Sequence, residues 1–438
     1  MSCTGEQVQR PDQVDIGAMR VGAVPSVEQA RRGEAMVSHT TRIAVIGGGI
    51  GGLTAAIALT RIADVRVTVF EQAPELGDVG AGVTVAPNGQ RVLEKLDALE
   101  PVKRAGATPD GPGIYMDALG SVVTDAAWED TAKRYQNIGM YRPDLVDVLA
   151  KEVAPESVRL GHRLTSVRAL DEGVRVEFEN GFHDEFDGVV GADGVHSVVR
   201  DSLMELPHPV YSGSIAYRGV IAAALLPDDW PMISQVWMGE GKHFMCYPLQ
   251  QRKLFNYVGF VPSDRPLKES WSAPGDVGEL AAEFGGDKWD ATLRRFIDLI
   301  DHTFWWGLYD HEPLSNWSRG RITLLGDSAH TMLPHAGQGV NQAMEDAITL
   351  AFFLREADGA HEIAEAFKRY TAIRMQRTAI LQNSSRRSGS QFDAQNEFAD
   401  IKKRDADLRA GRDFRRSVLF DFDAVAAAER ALKRYRRI

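Results

Sequence analysis

A chain of 438 residues, 44% hydrophobic and 25% charged, has the composition of a soluble globular protein with room for two or three domains. Its formal net charge of −11 argues against a nucleic-acid partner, but not against an anionic small molecule in a locally basic pocket. Two cysteines, Cys3 and Cys246, exclude a disulfide framework and a thiolate metal site and fit a reducing cytoplasm; the histidines show no ligand spacing, so no metal is expected.

Residues 1–40 carry arginines and acids at intervals and no apolar h-region, so they read as a disordered extension rather than a signal peptide. Ile43–Thr60 is uncharged and long enough to suggest a membrane span, but its five glycines belong to a soluble motif, and no membrane association is expected. Arg42–Ile46 reads as a buried parallel strand, Gly47–Gly52 as a turn, Leu53–Ile62 as an Ala-rich helix and Val65–Phe70 as a second strand ending at Glu71. These form a βαβ unit, which requires a parallel sheet. Short strands are expected over 112–135, a helix over Leu145–Lys151, and strands near 158–170 and 173–180. Gly213–Leu226, Ile233–Met238, His243–Leu249 and Leu254–Val261 read as antiparallel strands, and Val277–Phe284 and Thr292–Ile300 as helices. Ile322–Leu325 returns to the buried parallel type and leads to a long helix, Gln338–Leu354. The stretch 384–438 is highly charged and helical in character; it reads as a solvated helix that could also mediate a homodimer.

Gly47-Gly-Gly49-Ile-Gly-Gly52 satisfies G-x-G-x-x-G. Gly47 permits the tight turn, Gly49 lets backbone approach a pyrophosphate, and Gly52 lets helix and strand pack closely. The helix start offers free N–H groups to phosphates, and Glu71 is placed to accept from a ribose hydroxyl. This unit alone fits FAD and NAD equally well.

Two later segments decide between them. Gly191-Ala-Asp-Gly-Val-His-Ser-Val-Val-Arg200 resembles the DG motif of the group A FAD-dependent aromatic hydroxylases, and Leu325–Ala347 resembles their GD motif with the helix that follows. Together with the glycine turn, three signatures stand in family order over roughly residues 41–380. Within the family the chain resembles the single-component salicylate and 3-hydroxybenzoate hydroxylases, and Leu419–Ala424 is similar to an aromatic-Asp element near the end of that subgroup. The resemblance implies bound FAD, with Asp327 on its ribityl chain, Arg142 close to it, and Asp193 in a motif serving FAD and a transient NADH or NADPH. Asp327 follows a buried strand, where an acid has no packing role. The helix near Gly337, Gly339 and Val340 would turn free N–H groups toward a flavin edge that becomes anionic on reduction. No second G-x-G-x-x-G occurs, which fits a reductant that docks and leaves.

The fold implied is α/β. A discontinuous Rossmann-like FAD-binding domain (41–111, 136–206 and 313–383) carries an inserted, mainly antiparallel β-sheet substrate domain (112–135 and 207–312) and a helical C-terminal segment (384–438). The activity implied is that of a single-component monooxygenase: NAD(P)H reduces FAD, O2 adds at C4a, and the hydroperoxide hydroxylates a small activated ring of hydroxybenzoate type, with CO2 loss if oxygen enters at the carboxyl-bearing carbon. A heteroaromatic or biosynthetic phenolic substrate is the alternative, and a non-catalytic flavin-binding protein the remote one. A phenol reacts better as phenolate, so a base is expected: His335, directly after Pro334, first, and His243, on the substrate sheet, second. Tyr217 and Arg218 match a pocket-lining strand position in the family, and Arg218 could orient a substrate carboxylate. Cys246 reads as a core residue.

Overall fold

The computed structural model describes residues 40–77, 80–204, 210–264 and 273–436; the extension expected over 1–40, Thr40 excepted, lies outside them. Strand β1 (Arg42–Ile46) is buried along nearly its whole length, as a parallel strand covered on both faces must be. It runs parallel to Gly188–Gly191 on one side and to Arg66–Phe70 on the other. The six-stranded sheet has the order Ser318–Arg319, Ile322–Leu324, Gly188–Gly191, β1, Arg66–Phe70, Val158–Arg159. The helix after the glycine turn, α1 (Ile50–Ala58), runs on through one wide turn, Leu59–Ala63, to a left-handed Asp64. The three sequence motifs therefore follow the carboxyl ends of three adjacent parallel strands, where α/β folds bind ligands.

A second sheet has eight strands. It includes β2 (Val210–Ala222), β3 (His243–Leu249), β4 (Leu254–Pro262) and β5 (Thr303–Asp310), in the order Ala273–Gly275, β5, β2, β4, β3, Gln235–Met238, Ile114–Asp117, Val122–Asp125. Every pair is antiparallel except Gln235–Met238 with Ile114–Asp117. Residues 114–125 thus join the inserted sheet although they lie far from it in sequence. One face packs Tyr217, Phe244 and Tyr257 against the helices Val277–Glu283 and Ala291–Ile297; Cys246 belongs to this core, and burial pushes its thiol up. Arg142–Ala150 begins a turn earlier than expected, with Pro143 suited to a helix start.

Helices α2 (Gly339–Leu354) and α3 (Ile363–Phe392) are joined to each other and to their neighbours by buried charge. Arg374 of α3 reaches Asp346 through Nε and Glu345 through Nη1, each at 2.7 Å, and Arg377 adds a 2.7 Å bond to Glu345. Asn88 donates to Glu345 at 2.7 Å, while His330 Nε2 and the Gly326 N–H meet Asp346 at 2.5 and 3.0 Å. Burial alone would raise both carboxyls; Arg377 and Arg374 outweigh it at Glu345, as do His330 and Arg374 at Asp346, and both stay below the usual carboxylate range.

Two expectations need correction. The boundary placed at 383 falls inside the continuous helix α3. The tail after it is not a solvated appendage: Ala424, Ala428, Ala431 and Leu432 of the Ala424–Tyr435 helix enter the main core. Their helical spacing is diluted by the many charges on the outward face, which is why average composition hid it.

The charge cluster makes a stability prediction. Replacing Arg374 by Met leaves two buried carboxylates without their shared cation and lowers stability by roughly 3–5 kcal/mol. Urea unfolding of the FAD-loaded protein measures this, and a change below about 1 kcal/mol contradicts it.

Candidate active site

The glycine turn is shaped by backbone contact. Gly47 has φ +109°, in the left-handed region, and a Cβ there would stand 2.3 Å from the Ala192 carbonyl. A Cβ on Gly52 would stand 1.9 Å from the Gly47 carbonyl, so helix and turn meet without side chains between them. At Gly49 no atom lies within 4 Å of where a Cβ would be, and the start of α1 has no side-chain cap. Open backbone and free N–H groups together form a cradle of the kind phosphates occupy. Glu71 closes the turn, accepting from Gly48 N–H at 2.7 Å and Ala73 N–H at 2.8 Å, and its oxygens keep lone pairs for a ribose.

Asp193 builds the turn of its own motif. Its carboxylate accepts from Ser197 Oγ at 2.5 Å and Val199 N–H at 3.1 Å, so it builds the start of the helix Val198–Leu203. Val195 and His196, not Asp193, carry this segment to the neighbouring cavity.

That cavity, of about 470 Å³, lies between the two sheets. Arg142, Asp327, Gly337, Gly339 and Val340 line it from the nucleotide side. Burial raises the Asp327 carboxyl, opposed by the charges of His330 and Arg142. The start of α2 is uncapped by any side chain, and Gly337 and Gly339 keep the approach to it open. A flavin fits this end: a carboxylate for the ribityl hydroxyls, free helix N–H groups for the ring edge, and Arg142 near by. The glycine turn and Glu71 lie beyond the cavity lining, where the AMP half of FAD would sit.

Arg218, His243, Phe260, Trp306 and His335 line the other end. Arg218 stacks on Trp306 at 4.0 Å, and burial, with the Arg142 charge second, pushes it down to about 10. Tyr217 does not join it. Neighbouring strand residues face opposite sides, so with Arg218 at the cavity Tyr217 turns into the core behind the sheet, where its hydroxyl donates to Glu279 at 3.0 Å.

The two candidate histidines are brought together, their ring centroids 5.2 Å apart. His243 lies flat on Phe260 at 4.3 Å, and its Nδ1 stands 2.6 Å from Asp393 Oδ1. The His335 ring rests on α3 at Gly389, where a Cβ would be 2.7 Å from it. Among the described residues, neither His243 Nε2 nor His335 Nδ1 has a hydrogen-bond partner, although both are buried. Burial first, and the His243 charge second, hold His335 well below the usual histidine range.

The remaining wall comes from the C-terminal part of the chain: Gln391, Phe392, Arg415, Leu419 and Phe420. Arg415 lies close enough to Tyr115 for its charge to oppose the rise that burial imposes on that phenol. Asp393 and Arg415 carry no motif and were missed by sequence reasoning; the Leu419–Ala424 element was the only signal pointing to this wall. Asn341 was also missed: it ties Thr84, Ala86 and Gly337 to the start of α2.

The family described as FAD binding domain matches residues 40–385. The 3-amino-4-hydroxybenzoate 2-monooxygenase PtmB3 of Streptomyces platensis is 36% identical over 367 residues, covering 81% of this chain and 89% of that protein. The 3-hydroxybenzoate 6-hydroxylase 1 of Aquipseudomonas alcaligenes is 35% identical over 369 residues, covering 78% and 87%. A salicylate hydroxylase solved as a substrate complex matches with a TM-score of 0.77 at 27% identity, covering 90% of this chain and 98% of that one.

Two predictions follow from this geometry. Gly52→Ala forces a methyl against the Gly47 carbonyl; it costs about 1–3 kcal/mol and yields protein without visible flavin absorbance. Retained colour and stability would contradict the packing described. The second concerns pH. His335 stays neutral when folded but takes up a proton when unfolded below about pH 6.5. The stability this provides is complete above that pH and is lost as pH falls below it, toward the folded value. His335→Gln removes the loss, so between about pH 7.5 and 5.5 the variant should lose roughly 1 kcal/mol less than the wild type. Parallel pH curves would contradict this.

Proposed function

The chain belongs to the FAD-dependent aromatic hydroxylases, and from that premise we propose that it hydroxylates a phenol of the hydroxybenzoate type, with NADH or NADPH as transient reductant and O2 as oxygen source. It is an FAD-dependent monooxygenase; substrate and residue roles are what the proposal adds. The observation that carries it is a cavity lined by His243 and His335 at one end, whose opposite end fits a flavin.

Bound FAD supplies electron transfer from NAD(P)H and delivery of one oxygen atom from O2 to the ring. The protein's part is placement, dryness and proton control. Gly47–Gly52 and Glu71 hold the AMP half of the cofactor, and Asp327, Arg142 and the start of α2 hold the flavin half. Phe260, Trp306 and Phe392 give the cavity aromatic walls suited to an aromatic ring. The histidines receive the hydroxyl group, and Arg218 supplies positive charge for a carboxylate. The two sheets divide the work as an FAD-binding domain and a substrate domain. The described residues include no helix long and apolar enough to cross a membrane, and with only two cysteines we place the protein in the cytoplasm. Arg415, Leu419 and Phe420 are assigned to the cavity wall.

The test is a panel of hydroxybenzoates, aminobenzoates and hydroxypyridines, scored for stimulated NAD(P)H oxidation and for product. The expected result is at least one hydroxybenzoate that stimulates oxidation and is itself hydroxylated. Stimulation that yields only peroxide across the panel would refute the reading. With the best substrate, His335→Ala should keep its FAD and lose about tenfold in hydroxylation rate, as expected for one hydrogen bond to the phenolic oxygen; full activity would remove His335 from the site.

A further inference from the structure

Asp393 ends α3 and lies 150 residues from His243 in sequence, yet the two side chains meet at 2.6 Å, both buried. The contact is fixed from both sides. The Asp393 carbonyl accepts from Gly241 N–H at 2.7 Å, in the turn leading into β3, and Phe392 packs against the His243 ring at 5.2 Å. A carboxylate against Nδ1 requires a proton between them. With that proton on Nδ1, the neutral tautomer of the ring has its lone pair on Nε2. Nε2 is the ring atom left without a partner, on a side chain that lines the cavity.

We propose that Asp393 is a positioning residue that makes His243, rather than His335, the acceptor of the substrate's phenolic proton. The proposal rests on the reading of this cavity as a phenol-hydroxylating site. In the step, the phenol O–H bond breaks, the proton bonds to His243 Nε2, and the electron pair stays on the phenolate oxygen. The imidazolium formed is then held between phenolate and carboxylate. His335 has no acid against its ring and keeps its proton affinity low, so it remains neutral and hydrogen-bonds the same oxygen. The other ionisable groups around His243 are His335, from the turn before α2, and, across Phe392, Tyr115 with Arg415 beside it.

The experiment needs no turnover. Oxidised, FAD-loaded protein is saturated with a hydroxybenzoate that the wild type hydroxylates, and ionisation of the bound phenol is followed against pH by its ultraviolet difference spectrum. Asp393→Asn keeps a hydrogen-bond acceptor but removes the charge that stabilises the imidazolium. Its ionisation midpoint should rise by roughly one to three pH units, with flavin content and affinity for the methoxy analogue unchanged. His335→Gln should move the midpoint less. The proposal is overturned if Asp393→Asn ionises the phenol at the wild-type pH, or if His335→Gln moves the midpoint more. Loss of bound FAD in Asp393→Asn would also overturn it, by making the residue structural. Failure of the wild type to hydroxylate any hydroxybenzoate would sink the functional reading instead, and is seen before the variants are made.

Discussion

Arg374 lies between Glu345 and Asp346 with almost no solvent exposure, and each neighbour of that triad leads to a different part of the site. Asp346 holds the Gly326 N–H and His330, and so fixes the turn that presents Asp327. Glu345 holds Asn88, in the helix Pro87–Lys95 that follows the Gly82–Val85 strand. Arg374 belongs to α3, whose far end supplies Gly389, Phe392 and Asp393 to the histidines. Buried charges of this kind add little net stability against an apolar core, but they tolerate almost no displacement once formed. That property suits a scaffold that must keep a cofactor and a ring in fixed relation.

The cavity divides its chemistry accordingly. Its nucleotide end offers backbone N–H groups and a carboxylate, the donors and acceptors that a flavin's ring edge and hydroxylated chain require. Its far end offers aromatic faces, two imidazoles and the desolvated Arg218 guanidinium. Burial strips away the hydration that would stabilise a cation, which explains why Arg218 and His335 both shift toward their neutral forms.

What could be read from the sequence was local. The glycine turn, Glu71, Asp327 and His335 each sit in a short motif whose spacing carries its own geometry, and the structure puts them at strand ends or cavity walls. Tyr217 and Arg218 show the limit: alternation says that they face opposite sides, but only the tertiary fold says which side is the cavity. Asp193 has the right motif and builds its turn, while Val195 and His196 are the motif residues that reach the cavity. Asp393 and Arg415 were invisible because their partners are distant in sequence, and a charged helical tail looks the same whether or not its other face is buried.

A crystal structure with FAD and a hydroxybenzoate substrate bound addresses the central claim, that one rigid cavity between the sheets holds both. The account predicts the flavin ring beside Asp327 and the start of α2, and the substrate ring between it and the His243–His335 pair, with the hydroxyl within hydrogen-bond reach of His243 Nε2. A substrate ring bound elsewhere, with the C-terminal wall displaced from the cavity, would contradict it.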